Sequence, residues 1–406
     1  MVALLLVRWL YWFELEISDA DLRQLCQLQH DRLLLLPNHP TFHDPIVMFT
    51  LSAKVKQFFY YLAAHETFEN PSTLFLISAR FAPMRMLAKS ECFKQGFRRF
   101  LQNLGLYSIR RGLADRPSIA QTIDLLSQPG CHLVIFPEGG CSFQNDTVMP
   151  FRAGGVQLAF QAMNRLVKHG EEIPDLYVIP VAIKYRYVQD MQPVIKATLR
   201  RLEKALGLSS SATVDEYARL QEVGRAILIK IEKEYELYNP EINEKSWDDR
   251  INLIRLRVIQ EGEQRLSINS ASGDLIRERV YRIQHAIRTK ADAIEPDPTF
   301  TPELVEKAMS RLLNFDAIYA SYVAEKPTPE RFLDTLIRLE REVFNIDQPP
   351  PKGFRRAQLQ LGKPVNLKDH FDAYRHDRAA SVSQLVSEFH HTVQTRLDQL
   401  NYTCET

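Results

Sequence analysis

Residues 38–44 read Asn38-His39-Pro40-Thr41-Phe42-His43-Asp44, and residues 136–140 read Phe136-Pro137-Glu138-Gly139-Gly140. The first motif holds the parts of a general base: a carboxylate on one imidazole nitrogen fixes the tautomer and stabilises the imidazolium, leaving the other nitrogen to take a proton from an alcohol. Five residues of ideal helix rotate a side chain by about 500°, so His39 and Asp44 cannot meet within one helix. The pair needs a loop. With Asp44 as the N-cap and Pro45 as the first helical residue, His39 lies before the helix and folds back over its first turn. In the second motif, Cys131 to Phe136 is a short apolar run ended by Pro137, which suits an inner parallel strand. Glu138 and two glycines open the loop after it.

These side chains need elements to carry them. Leu33 to Leu36 reads as a strand leading into the first motif, and Gly105-Leu106-Tyr107-Ser108-Ile109-Arg110-Arg111-Gly112 is another strand-like run that ends in charge. Leu176 to Val181, with Pro180 inside it, reads similarly. In open α/β sheets ligands collect at the carboxyl ends of the strands, and the charged residues of every motif fall at such ends.

Taken in order, these blocks resemble the glycerolipid acyltransferase family that includes lysophosphatidate and glycerol-3-phosphate acyltransferases. His39 and Asp44 match the family's His-x-x-x-x-Asp block, and Gly105, Ile109 and Arg111 match its Gly-x-x-x-Ile-x-Arg block. Phe136 to Gly139 match Phe-Pro-Glu-Gly, and Ile179-Pro180-Val181 match the Val-Pro block. Pro150 to Gly154, with Arg152, resemble the basic-Gly segment that follows. The resemblance implies an α/β fold, a mixed and mostly parallel sheet flanked by helices and here interrupted by a helical insertion. It also implies that His39 is the general base and Asp44 its partner, with Gly105, Arg110, Arg111, Glu138, Gly139 and Arg152 binding substrate. The implied reaction is attack of an acceptor hydroxyl on an acyl thioester, without a covalent acyl-enzyme. Acyl-coenzyme A or acyl carrier protein would be the donor and co-substrate, with no bound cofactor and no metal. A lysophospholipid, foremost 1-acylglycerol-3-phosphate, or glycerol 3-phosphate would be the acceptor.

One departure bears on the acceptor. The family usually continues Glu-Gly with Thr-Arg-Ser, whereas Gly140-Cys141-Ser142 stand here, so a basic residue associated with the acceptor's phosphate is missing. Either Arg110, Arg111, Arg152 or Lys184 takes that role, or the acceptor carries no glycerol phosphate. From Arg80 to Arg116 nine Lys or Arg face only Glu91 and Asp115, interleaved with Phe81, Met84, Met86, Phe93, Phe97 and Phe100. Such a stretch suits an anionic lipid surface, the phosphates of coenzyme A, an acidic carrier protein or a phosphorylated acceptor; the alternative is a solvated basic helix whose aromatics pack inward.

A formal net charge of +1 over 406 residues gives no global pull toward nucleic acid. The five cysteines form no close metal pair and leave an odd thiol, which fits a reducing compartment. The expected location is cytoplasmic, peripheral on the cytoplasmic face of a membrane. Met1 to Phe13 is apolar but broken by Arg8, too short to span, and reads as an amphipathic helix that anchors at a membrane or docks on the core.

Beyond Tyr187 the pattern changes to long helices rich in both charges. Thr301-Pro302-Glu303 and Thr328-Pro329-Glu330 each supply a capping hydroxyl, an N1 proline and an early acid. After Pro349-Pro350-Pro351, Arg356 to Val365 alternates as a strand that resembles the family's late Gly-x-Pro strand. Val382, Val386, Phe389, Val393, Leu397 and Leu400 then form one helix face. The expected organisation is N-terminal helices over 1–30, an acyltransferase core over 31–189, a helical insertion over 190–352, and a return to the core over 353–406. The insertion is a lid, a dimer surface, a partner site or a helical cap without a separate function.

Overall fold

The computed structural model describes residues 11–69, 91–209, 215–271, 273–290, 297–315, 321–346 and 349–402. Residues before Tyr11 and the part of the basic stretch before Glu91 lie outside the described residues, whereas in the rest of that stretch Phe97 is buried and Phe100 is exposed. The chain divides into two compact units: the first comprises 1–110, 115–189 and 353–406, the second 111–114 and 190–352.

The first unit is built on an eight-stranded sheet. Its elements run β1 (Phe13–Ile17), α1 (Asp19–Gln27), β2 (Arg32–Pro37), α2 (Asp44–Val55), β3 (Phe59–Ala64), α3 (His65–Glu69), α4 (Glu91–Asn103) and β4 (Leu106–Ile109). They continue with α5 (Arg116–Ser127), β5 (His132–Val134), α6 (Gly154–Lys168) and β6 (Leu176–Tyr187). Strand order is β1-β7-β6-β2-β5-β3-β4, where β7 is Arg355–Leu361; the short β8, Val365–Asn366, also pairs with β6. The run from β6 through β2, β5 and β3 to β4 is parallel, whereas β7 and β8 pair antiparallel with β6. This is a mixed, mostly parallel α/β sheet flanked by helices.

Burial explains the strand sequences. Leu33, Leu34, Leu35 and Leu36 are all buried, because β2 lies mid-sheet with helices on both faces and therefore reads as a continuous apolar run. Odd-numbered Leu33 and Leu35 join one core with Val47, Met48 and Leu51 of α2. Even-numbered Leu34 and Leu36 join the other, with Leu126 of α5, Val156, Phe160 and Met163 of α6, and Phe389, Val393 and Leu397 of the long helix Arg378–Tyr402. Each fully buried leucine contributes about 1.5–3 kcal/mol.

Two elements differ from the sequence reading. Residues 13–17 are an edge strand, parallel to β7 from Phe13↔Arg355 to Ile17↔Leu359, and not part of a helix. The alternation Phe13-Glu14-Leu15-Glu16-Ile17, with Phe13 buried and both glutamates exposed, is the period-two signal of a half-buried strand. The sequence from Gln57 to Asn103 reads as extra apolar and basic helix, yet that stretch opens with β3, which inserts between β5 and β4.

After β6 the chain leaves the sheet and comes back as β7, which pairs in register from Val181↔Leu361 to Tyr187↔Arg355. The 190–352 unit thus interrupts what is, for the sheet, an antiparallel strand pair. That second unit is helical in its described residues, with α7 (Gln192–Leu206), α8 (Glu216–Glu234), α9 (Pro240–Asn243), α10 (Trp247–Arg265), α11 (Ile276–Lys290), α12 (Pro302–Phe315), α13 (Tyr322–Glu325) and α14 (Pro329–Phe344). Thr328 caps α14 by accepting from the Arg331 N–H at 3.3 Å. No helix of the described residues is long and apolar enough to cross a membrane.

Candidate active site

At the carboxyl end of β2 the chain turns sharply into α2. Asn38 fixes this turn: its side-chain amide donates to the Ile183 carbonyl at 3.0 Å and its oxygen accepts the Ile183 N–H at 2.7 Å. A buried amide paired on both sides with the backbone of β6 continues the sheet where β2 has ended.

His39 and Asp44 meet in that turn. His39 Nδ1 lies 2.7 Å from Asp44 Oδ2, with Asp44 fully buried and His39 15% exposed. A carboxylate can only accept, so Nδ1 carries the proton and Nε2 is the basic nitrogen. The loop geometry differs in one detail from the sequence reading: α2 begins at Asp44, His43 occupies the N-cap position, and Pro45 stands in the first turn. The Asp44 carboxylate turns back instead of forward. Its Oδ2 accepts the Thr41 N–H at 2.8 Å, and its Oδ1 accepts the Thr41 hydroxyl at 2.9 Å and the Tyr185 hydroxyl at 2.7 Å.

The second motif grips the first by its backbone. Glu138 Oε1 accepts the His39 N–H at 2.7 Å, while the Ser142 N–H donates to the His39 carbonyl at 2.8 Å. Phe136 packs its ring 4.5 Å from the imidazole. Residues 136–142 therefore hold His39 on three sides, which gives a physical reason for the two motifs to occur together. The other oxygen of Glu138 accepts the Met149 N–H at 3.3 Å, tying the same loop to the segment that carries Arg152. Gly139 adopts φ +72°, and a Cβ there would stand 2.6 Å from Arg152 Nε. Glycine is needed both for the left-handed backbone and for the room the guanidinium takes.

The remaining sequence-predicted site residues are placed elsewhere. Arg110 is exposed at the carboxyl end of β4, and its backbone N–H donates to Asp115 at 2.8 Å. Arg111 belongs to the second unit, where its guanidinium donates to the Tyr281 hydroxyl at 2.8 Å and lies 4.3 Å over that ring. Gly105 sits at the amino end of β4, opposite to the end where the other motifs gather. With φ +85° and a hypothetical Cβ only 2.5 Å from the Phe59 carbonyl, it serves the close approach of β4 to β3. Lys184, an alternative phosphate contact, is buried and ion-paired with Asp146, with Asn401 as a further acceptor at 2.6 Å.

Thr41, Ser142, Tyr185 and Arg355 were not singled out by sequence. Tyr185 reaches Asp44 from β6, and Arg355 of β7 lies 4.4 Å over the Tyr185 ring while donating to His43 Nδ1 at 3.1 Å. Burial, reinforced by the neighbouring Asp44 charge, raises the Tyr185 phenol well above its usual range. Burial and the Arg355 charge depress the His43 imidazole to about 3. The one usable signal was the change at the end of β6 from apolar residues to Lys184-Tyr185-Arg186. Among the described residues no group of three or more His, Cys, Asp or Glu could hold a metal ion.

A histidine oriented by a buried carboxylate at the carboxyl ends of parallel strands has the geometry to draw a proton from a nucleophile. Residues 72–184 match the Acyltransferase family model, and by that match the chain carries a domain of the glycerolipid acyltransferase family, which supports acyl transfer in glycerolipid metabolism. The matched span takes in Gly105, Arg110, Arg111, Glu138, Gly139 and Arg152 and begins after His39 and Asp44. No curated protein matches the chain.

Proposed function

We propose that the protein is an O-acyltransferase that moves a fatty acyl group from a thioester, acyl-coenzyme A or acyl carrier protein, to the hydroxyl of a glycerolipid acceptor, foremost 1-acylglycerol-3-phosphate. The observation that carries this reading is the His39–Asp44 pair at 2.7 Å, set in a loop whose backbone the Phe-Pro-Glu-Gly segment holds.

The reaction follows from those groups. The acceptor hydroxyl gives its proton to His39 Nε2 as its oxygen attacks the thioester carbonyl carbon, and Asp44 stabilises the imidazolium that forms. The tetrahedral intermediate collapses with cleavage of the carbon–sulfur bond. The thiolate leaves with the proton from His39, which restores the neutral base. Arg152, packed against Gly139, takes the place of the missing basic residue after Glu138-Gly139 and meets the acceptor's phosphate as a charge-assisted donor. A glycerol-3-phosphate or a non-phosphorylated lysolipid is the alternative acceptor, the latter favoured by Cys141 where the family carries charge. An inactive lipid- or partner-binding homologue is the alternative outside catalysis. Because the acceptor is a lipid, we place the work of the enzyme at a membrane surface, on the cytoplasmic side.

The test is acyl transfer by the purified protein with lysophosphatidate, glycerol 3-phosphate and a non-phosphorylated lysolipid in parallel. His39→Ala should lower kcat by at least about 10²–10⁴-fold while leaving the fold intact. Turnover by His39→Ala equal to wild type would remove His39 as the base, and no transfer from either donor would leave the binding-protein reading.

A further inference from the structure

Asp44 receives four donors, two on each oxygen. Three come from its own turn: His39 Nδ1, the Thr41 N–H and the Thr41 hydroxyl. The fourth, the Tyr185 hydroxyl at 2.7 Å, comes from β6, 141 residues away in sequence. A carboxylate has about four lone-pair sites, so this set saturates it.

Tyr185 is itself held from behind. Arg355 lies 4.4 Å over its ring, and since a guanidinium can only donate, the 3.1 Å contact to His43 makes Nδ1 the acceptor and leaves the neutral imidazole's proton on Nε2. His43, Arg355 and Tyr185 are all buried, so the order His43–Arg355–Tyr185–Asp44–His39 is a continuous polar chain beneath the surface. Both Tyr185 and Arg355 lie outside the span that matches the family model, and Arg355 is delivered only by the strand that follows the 190–352 unit.

We propose that Tyr185, stacked beneath Arg355, is a positioning residue for the reaction: its hydroxyl holds the Asp44 carboxylate in place and shares its charge, which sets how strongly His39 binds a proton. The inference rests on the acyltransferase reading of His39. With the Tyr185 hydroxyl removed, Asp44 leans on the remaining donors, the imidazolium becomes the more favoured partner, and His39 holds its proton to higher pH. A histidine that must be neutral to act as base then works only at higher pH.

The experiment compares the kcat–pH profiles of the full-length wild type, Tyr185→Phe and His39→Ala with a common acyl donor and acceptor. Tyr185→Phe keeps the ring under Arg355. The expected result is a fall in kcat of about tenfold, as for one hydrogen bond to a charged group, with KM within about twofold and the acidic limb moved to higher pH. An unchanged limb and kcat in Tyr185→Phe, with His39→Ala inactive, overturns the positioning role alone. An active His39→Ala overturns the acyltransferase reading beneath it. If Tyr185→Phe does not fold, Arg355→Gln carries the test: loss of the fixed positive charge should move the same limb in the same direction, and an unmoved limb overturns the proposal.

Discussion

Asp44 of the sheet unit and the arginine-paired acids of the helical unit meet different partners. In the helical unit the buried Glu203 and Glu232 and the half-buried Glu263 each receive an arginine from the next long helix: Arg219, Arg250 and Arg279. Each arginine uses Nε and one terminal nitrogen in a two-pronged bond, at 2.7 and 2.8 Å for both Arg219 and Arg250. In the sheet unit Asp44, also buried, is met by two hydroxyls, a backbone N–H and an imidazole. The fixed cations cancel the helical unit's acids permanently. Around Asp44 the donors are neutral, and the one partner that can acquire charge is the histidine facing the reaction. The cost of burying a carboxylate is thus met in the helical pairs by structure alone and at Asp44 by a group that changes protonation.

The hardest test of that contrast is to take the charge from Asp44 while keeping its shape. Asp44→Asn should lower kcat by about 10³–10⁴-fold, because an amide no longer stabilises the imidazolium and admits the wrong tautomer of His39. Steady-state kinetics on the folded variant reads this directly. A loss under about tenfold would mean that Asp44, like the glutamates of the other unit, serves structure.

How legible this arrangement was depends on sequence separation. His39 and Asp44 lie within one loop, so a helical-rotation argument was enough to require the turn that brings them together. The fold class was readable because β2 has the continuous apolar run of a strand covered on both faces. Tyr185 and Arg355 were not readable: one is an aromatic at a strand end and the other a charge before an alternating strand, and only sheet order and the register Tyr187↔Arg355 reveal that they share a site. β1 was misread for a different reason, since five alternating residues beside an apolar N-terminus look like the start of an amphipathic helix. The arginine–glutamate pairs stayed hidden because a charge on a helix gives no sign of whether its face is covered.

Those pairs supply the converse experiment. Arg250→Met leaves Glu232 buried without its cation and should destabilise the protein by about 3–5 kcal/mol, read by urea unfolding. Adding Glu232→Leu should recover most of the loss, since replacing both ions of a buried pair by apolar residues is close to neutral. A single variant within about 1 kcal/mol of wild type would equate these pairs with exposed ion pairs and dissolve the contrast.

The smallest effect is a pH dependence carried by His43. Its folded-state imidazole is depressed from the ordinary 6.5 to about 3 by burial and then by Arg355. Between these values the unfolded chain binds the proton and the folded one does not, so stability falls as the pH drops from 6.5 toward 3, by up to about 1.4 kcal/mol per pH unit. From pH 7 to pH 5 this amounts to about 2 kcal/mol. In the helical unit the hydrogen bond from Arg279 holds the Glu263 carboxyl below its ordinary range, so that pair keeps its charge in mild acid. In His43→Gln, which keeps an acceptor for Arg355, the difference in urea-unfolding free energy between pH 7 and pH 5 should shrink by that amount. An unchanged difference would mean that His43 takes up a proton in the folded protein near its ordinary pKa, which the adjacent guanidinium opposes.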